Sequence, residues 1–418
     1  MDCKIQTSLI TKTLAVAITA AMASTVQAAS TEQQIQELRQ EVQALKALIQ
    51  QQQQVQQQQQ VQIQQVQAQP APAAKSASPF SLKSKGGAEV NLYGFVRGDA
   101  NYIVEGADND FNSVHTSTGA AKDKLRATPK TTRLGLDFSS PVGDRKVGGK
   151  IEVDFAGTKD ALRIRHAYLT LDNWLLGQTT SNFLSNHAPE MIDFATNIGG
   201  GTTRIPQVRY SHKLAPATQL LVSAEEGNSS ATGSDVTYRV PTVTAKLTQG
   251  FAEGKGAASA RALVEHYKAE SGDDKTGWGV AAGAHYQVAE PLKVSADVSY
   301  VQGNSNYLYG ANTAFVEGAN GDIEQNEFTA FQVGATYKFA PNLRSTLGYG
   351  AIFADDGTDY AALNEDANKE VYQAWLNFIY SPVKPVDLGI EYINGERETF
   401  AGETFKDNRF GLMARYNF

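Results

Sequence analysis

Apolar residues occupy every second position in a long series of segments between residues 88 and 418. From Trp278 to Tyr286, large or apolar side chains alternate with Gly, Ala and His, and the same alternation continues from Leu292 to Tyr300. A period of two is typical of β-strands that have one apolar and one polar face. This part of the chain is therefore predicted to be all-β.

The predicted strands are long, at about 9 to 13 residues, which is the length that a tilted membrane-spanning strand needs. Their connections alternate between tight turns and long polar loops, a pattern typical of outer-membrane barrels. The turns are predicted at 141–145, 172–173, 214–217, 289–291, 340–342 and 381–385, and the long loops at 106–130, 181–204, 303–325 and 355–369.

About sixteen segments of this kind can be counted, if residues 235–251 form one strand despite Pro241. Lipid leaves no backbone group without a partner, so such a sheet must close on itself. Sixteen strands leave room for a water-filled lumen. The predicted fold is an all-β, sixteen-stranded antiparallel transmembrane β-barrel over residues 88–418, in contact with outer-membrane lipid and lipopolysaccharide.

The last strand is amphipathic and ends on an aromatic residue. Phe410, Leu412, Tyr416 and Phe418 share one face, and Phe418 is the final residue. A soluble edge strand rarely ends so exposed and so aromatic. This ending is similar to the assembly signal of bacterial outer-membrane proteins, so the barrel-assembly machinery is an expected partner of the Phe418 strand.

Three shorter segments precede the barrel. Residues 1–28 are predicted to be a cleavable signal peptide, because lysines precede a short apolar run and Val26-Gln27-Ala28 is a small-residue cleavage pattern. Residues 29–69 are rich in glutamine and carry apolar residues at heptad spacing from Ile35 to Ile49. They are predicted to form a short N-terminal coiled-coil helix in the periplasm, the alternative being a disordered Gln-rich tail. Residues 70–87 are a Pro-, Ala- and Ser-containing linker.

Several function classes lack support in the sequence. The chain has a net charge of −7 and no basic patch with interleaved aromatic residues, so nucleic acid is not an expected partner. The six histidines show no metal-ligand spacing, no nucleophile motif is visible, and neither cofactor nor enzyme activity is expected. A channel is favoured, with a general non-selective diffusion porin and a structural or adhesive envelope barrel as the alternatives.

The loop at 181–204 is expected to fold into the barrel and narrow it, because Gly199 to Gly201 would permit a tight path. Alternation places several arginines on the inner face of the barrel. These are Arg97, Arg133, Arg209 and Arg409, and the acids of the loop are Glu190 and Asp193. An arginine wall that faces the loop would select anions. The alternative is that these arginines pair with inward acids such as Asp99, Asp137 and Asp154.

Short motifs in the first half of the barrel resemble those of the DcaP-like porins. They are Asn91-Leu92-Tyr93-Gly94-Phe95-Val96, Thr131-Thr132-Arg133-Leu134-Gly135, Arg163-Ile164-Arg165-His166-Ala167-Tyr168, Gly177-Gln178-Thr179, Pro189-Glu190 and Pro206-Gln207-Val208-Arg209-Tyr210. The resemblance implies a homotrimer of sixteen-strand barrels with periplasmic helical segments, and uptake of small anions, notably dicarboxylates.

The heptad is the one departure from that resemblance, and the orientation of Arg163 and Arg165 is a separate question. The heptad has β-branched residues at a and Leu at d, which nominally favours a dimer. Alternation also places Arg163 and Arg165 on the lipid side, where a charge is penalised. Either a β-bulge resets the strand or the strand lies in a subunit interface. Arg165 is included among the pore-lining residues on the resemblance alone.

Overall fold

The structure is a computed structural model that describes residues 81–83, 87–193 and 197–418. The predicted signal peptide, the coiled coil and most of the linker lie outside the described residues. Within the described residues, the chain forms the following strands. They are β1 (Ser81–Lys83), β2 (Glu89–Gly106), β3 (Ala121–Thr128), β4 (Arg133–Val142), β5 (Arg145–Asp154), β6 (Arg163–Leu171), β7 (Trp174–Thr180), β8 (Arg204–Ala215), β9 (Thr218–Glu225), β10 (Ala231–Thr232), β11 (Val236–Tyr238), β12 (Thr242–Phe251), β13 (Gly256–Ala269), β14 (Asp274–Ala289), β15 (Leu292–Gln302), β16 (Phe315–Glu317), β17 (Ile323–Gln325), β18 (Glu327–Ala340), β19 (Leu343–Ala354), β20 (Asn368–Val383), β21 (Val386–Thr399) and β22 (Thr404–Asn417).

Antiparallel pairing between sequential strands runs around the whole sheet, and β22 closes it against β2. Two positions around the barrel hold two strands in line. β3 and β4 both pair with β2, and β11 and β12 both pair with β13, on either side of Pro241. The prediction of one strand over residues 235–251 was therefore wrong, although the two strands occupy one position in the barrel. Over the described residues the barrel therefore has sixteen positions, which confirms the predicted fold.

The two faces of the wall differ as the alternation predicted. Val96 is 57% exposed and its neighbour Arg97 is 2% exposed; on the facing strand, Leu412 is 52% exposed and Met413 is 5% exposed. Large apolar side chains thus cover the outside, where lipid accepts them, and polar side chains line the inside. The six predicted tight turns all join neighbouring strands at one end of the barrel, which we call the turn end. The opposite end is the loop end.

Two predicted boundaries were wrong. The long loop predicted at 106–130 contains β3, whose Lys122, Lys124 and Arg126 lie opposite inward residues of β2. Its polar inner face and the left-handed backbone of Asp123 (φ 49) hid the alternation. In the segment predicted as a linker, β1 pairs with residues 89–91 of β2 and extends the sheet.

A β-bulge settles the position of Arg165. The β5–β6 ladder pairs Glu152 with His166 but Val153 with Ile164, so that Arg165 is an extra residue with no partner position. The bulge turns Arg165 inward, where it is 5% exposed, and leaves Ile164 facing outward at 53% exposure. Of the two predicted alternatives, the structure shows the bulge.

The loop end of the lumen is partly filled by a hydrophobic core. Phe183, Leu184 and Ile198 from the loop after β7 pack with Tyr307 and Leu308 from the loop after β15 and with the inner faces of β13, β15 and β18–β20. A three-stranded sheet of β10, β16 and β17 and a short helix, α1 (Asp359–Leu363), lie in the long loops. No helix among the described residues has the length and apolar character needed to cross a membrane.

Candidate functional site

The described residues of the segment between β7 and β8, 181–193 and 197–203, lie inside the barrel and are called the constriction loop below. Ser185 donates to Asp297 on β15 (Oγ–Oδ2 2.6 Å). The imidazole of His187 lies 2.9 Å from that of His285 on β14 and 3.0 Å from the Ser259 hydroxyl on β13. Burial lowers the pKa of His187 to about 3, so this imidazole is neutral at physiological pH. These contacts hold the loop against the wall across the barrel from β5 and β6.

Glycine permits the return path of the constriction loop, as the sequence predicted. Gly199 has φ +80, and a Cβ there would clash with the carbonyl oxygen of Phe331. A Cβ at Gly201 would clash with the carbonyl oxygen of Tyr307. Only glycine allows the backbone to approach the wall and the neighbouring loop this closely.

Both acids of the constriction loop, Glu190 and Asp193, form interactions with other parts of the barrel. Glu190 forms a bidentate ion pair with Arg344 on β19, with both N–O distances 2.7 Å. Asp193 is 4% exposed and its Oδ2 accepts from the backbone N–H of Asn112 at 2.7 Å. Burial raises the pKa of Asp193 to about 7, against the opposing effect of Arg409. The loop therefore presents little net negative charge to the remaining lumen.

On the opposite wall, four guanidinium groups meet two carboxylates. Arg163 and Arg165 both bind Asp154, with N–O distances of 2.7 and 3.0 Å. Glu152 accepts from Arg165 at 2.7 Å, and Arg133 lies 3.4 Å from it. The fourth member, Arg204 at the start of β8, interacts electrostatically with the other three arginines and with Glu152, but lies within 4 Å of no described carboxylate. We call these four arginines and two acids the arginine cluster; its formal charge is positive.

A cavity of about 200 Å³ opens beside the arginine cluster. Its charged lining consists of Lys130, Arg163, Arg165 and Arg204, with hydroxyl groups from Ser113, Thr131 and Thr202 and aromatic walls from Phe111 and Tyr309. Lys130 is held by Asp110 at 2.5 Å. Cations and hydroxyl donors around a small cavity can bind a carboxylate or a similar small anion.

The other predicted pore-lining arginines have different surroundings. Arg97 forms a pair with Asp99 (2.6 Å), and Arg409 pairs with Asp407 (2.8 Å) and donates to loop carbonyls of Ala107 and Asn109. Neither arginine is more than 2% exposed. Both therefore anchor loops instead of facing an open lumen, as in the alternative in which inward arginines pair with acids.

Arg209 faces inward, as predicted, and donates to Gln207 and to the carbonyl of Thr180. Sequence reasoning missed Lys130 and Arg204 as cavity residues, because each lies at the edge of a predicted loop. The available signal was position: Lys130 lies just before the start of β4, and Arg204 is the first residue of β8.

Comparison with known proteins agrees with this architecture. A sequence model of the DcaP outer membrane protein family matches residues 14–418. The chain belongs to the DcaP outer membrane protein family. The crystal structure of the outer membrane channel DcaP of Acinetobacter baumannii is 67% identical in sequence, with a TM-score of 0.79, and the match covers 81% of this chain and 99% of that one.

More distant porins share the fold with this DcaP family member. OmpT of Vibrio cholerae is 13% identical with a TM-score of 0.54, covering 81% of this chain and 100% of that one. An anion-selective porin from Comamonas acidovorans is 14% identical with a TM-score of 0.55, covering 79% and 100%. The comparison with curated proteins gave no match. The family and the barrel together place the chain in the outer membrane as a channel.

Proposed function

We propose that this channel conducts small anionic solutes by passive diffusion, with a preference for dicarboxylates. The observation that carries the proposal is an imbalance of charge across the lumen. The arginine cluster combines four guanidinium groups with two carboxylates, whereas Glu190 on the constriction loop is neutralised by Arg344. Because charges that line a narrow aqueous path act at short range, they outweigh the distant acidic groups that salt screens within about 10 Å.

A dicarboxylate suits this arrangement better than a monovalent anion does. One carboxylate would bind beside Arg204 in the cavity, and the second would remain within reach of Lys130 or Arg163, which line the same cavity. Guanidinium groups match carboxylates with two parallel hydrogen bonds, so each contact adds orientation as well as attraction. Hydration by the remaining water keeps each contact weak enough for the solute to leave.

Reversal potential in a planar bilayer tests the proposal. In a potassium chloride gradient, the unmutated channel is expected to prefer chloride, and succinate added on one side is expected to interrupt the current transiently. A preference for potassium would overturn the anion assignment and favour a general diffusion porin. The N-terminal segment in the periplasm and assembly as a homotrimer belong to the same proposal; native electrophoresis of the detergent-extracted protein measures the oligomer.

A further inference from the structure

One carboxylate of the barrel wall binds Ile192 and Asp193 of the constriction loop, which we call the loop tip. Glu391 on β21 is 1% exposed, and its two oxygens accept the consecutive backbone N–H groups of Ile192 and Asp193, each at 2.8 Å. Asn377 on β20 donates to the same carboxylate at 3.0 Å. A carboxylate that accepts three hydrogen bonds in a buried position is strongly fixed, because charge-assisted bonds are about twice as strong as neutral ones.

The peptide between Ile192 and Asp193 is gripped from both sides. Its N–H donates to Glu391, and its carbonyl accepts from Arg97 Nη2 at 2.6 Å. The side chain of Ile192 packs in a small apolar cluster with Ile379 and Met413 on the wall. Backbone and side chain together therefore dock the loop tip onto β20–β22.

Docking of the loop tip fixes the positions of the two loop acids, Glu190 and Asp193. Asn377 and Trp375 also donate to the carbonyl of Glu190, each at 3.0 Å, and this places the Glu190 side chain beside Arg344. Asp193 is buried by the same docking. If the tip left the wall, both carboxylates would be free to move into the lumen and to compensate the arginine cluster.

We propose that Glu391 is a positioning residue for ion selectivity: it docks the constriction loop so that the acids of the loop stay away from the anion path. This inference rests on the proposed function, since it assumes an anion preference to be maintained. The positioning role and a purely electrostatic role of Glu391 predict opposite changes in ion selectivity when its charge is removed. Removing a negative charge from the lumen should strengthen anion preference, whereas undocking the loop should weaken it.

The test is Glu391→Gln in planar bilayers. Glutamine keeps the size of the side chain but turns an amide donor towards a backbone N–H, so one docking bond is lost and a donor meets a donor. We expect a loss of anion preference and increased open-channel noise. Asn377→Ala changes no charge and should also reduce anion preference and increase noise. This second variant keeps the test valid if Glu391→Gln does not fold.

Glu265→Gln is the matched control. Glu265 on β13 is 2% exposed and accepts from Ser229 and Thr242, outside the constriction loop. The Glu265→Gln variant should leave the open-channel noise unchanged and should not reduce anion preference. If Glu391→Gln raises anion preference without added noise, Glu391 acts only by its charge and the positioning role is wrong. If the unmutated channel prefers cations, the proposed function fails instead, and noise alone then decides whether Glu391 docks the loop.

Discussion

Arg204 offers the sharpest test of the arginine cluster. It lines the cavity and lies within 4 Å of no described carboxylate, so its charge is available to a solute. A carboxylate about 4 Å from a unit positive charge gains about 1 kcal/mol at the dielectric constant of water, and about 4 kcal/mol at an effective value of 20. Because a channel conducts ions through water, we use the first limit for this site. Arg204→Gln should therefore weaken succinate binding by roughly fivefold, the factor that corresponds to 1 kcal/mol.

Single-channel recording separates the contributions to that loss. The dissociation constant is obtained from the frequency and duration of succinate blockages, and the chloride preference is obtained from the reversal potential in the same preparation. Arg145→Gln is a suitable control, because Arg145 is exposed at the turn end and its ion pair with Asp172 (3.1 Å) is exposed to solvent as well. It removes the same charge from the protein without touching the lumen.

The comparison of the two variants decides the outcome. We expect Arg204→Gln to shorten the blockages and to shift the reversal potential towards cation preference, while Arg145→Gln changes neither. If both variants alter binding by less than twofold, the cluster does not select anions, since the attraction at the dielectric constant of water already corresponds to roughly fivefold. Equal effects of the two variants would point to the total charge of the protein instead.

Three further predictions concern stability, assembly and pH. Arg409→Ala leaves Asp407 buried without its partner, which should cost about 3–5 kcal/mol and lower the temperature at which the folded barrel unfolds in detergent; unfolding unchanged within the error shown by the exposed Arg145→Ala would contradict the buried-pair argument. Phe418→Asp should reduce heat-modifiable protein in the outer membrane, whereas Phe418→Tyr should not, and equal amounts of all three proteins would mean that the assembly machinery does not read this residue. Release of the loop tip should return the pKa of Asp193 from about 7 towards its ordinary value near 4. The docked loop therefore holds a proton that the released loop loses, and the docked state becomes less stable as pH rises between about 4 and 7. Open-channel noise should rise over that window and level off above it, and noise that still depends on pH in Asp193→Asn would assign the effect to another group.

Alternation predicted the barrel well where lipid lies on one side of the wall, because a lipid-facing strand must be apolar at every second position. β14 and β15 were found in this way, together with the turn between them. The same rule failed at β3, since its inner side chains are cationic and Asp123 interrupts the outer row. Alternation therefore identifies a strand only where its two faces have environments of different polarity.

Alternation gives the side of the wall on which an arginine lies but not what covers it. Arg97 and Arg409 were correctly placed inside, yet the loops that bury them come from distant parts of the chain. A local signal did exist: each has an aspartate two residues away, which in a strand shares its face. Arg204 gave no such signal, because the other three arginines and Glu152, with which it interacts, lie on β4, β5 and β6, far from it in sequence.

The bulge at Arg165 shows how a pore can gain a charge by insertion. In a regular strand, each additional lumen side chain comes with one more lipid-facing position. The extra residue in β6 adds a guanidinium to the lumen and leaves the pairing of Ile164 and His166 with β5 undisturbed. Deleting Arg165 would thus remove the charge and keep every lipid-facing residue of β6 in place, whereas deleting a residue at a regular position would move the following side chains to the opposite face. Chains that lost or acquired the bulge, and this cation with it, are therefore expected to differ in length by one residue within β6, a difference that aligned sequences would show.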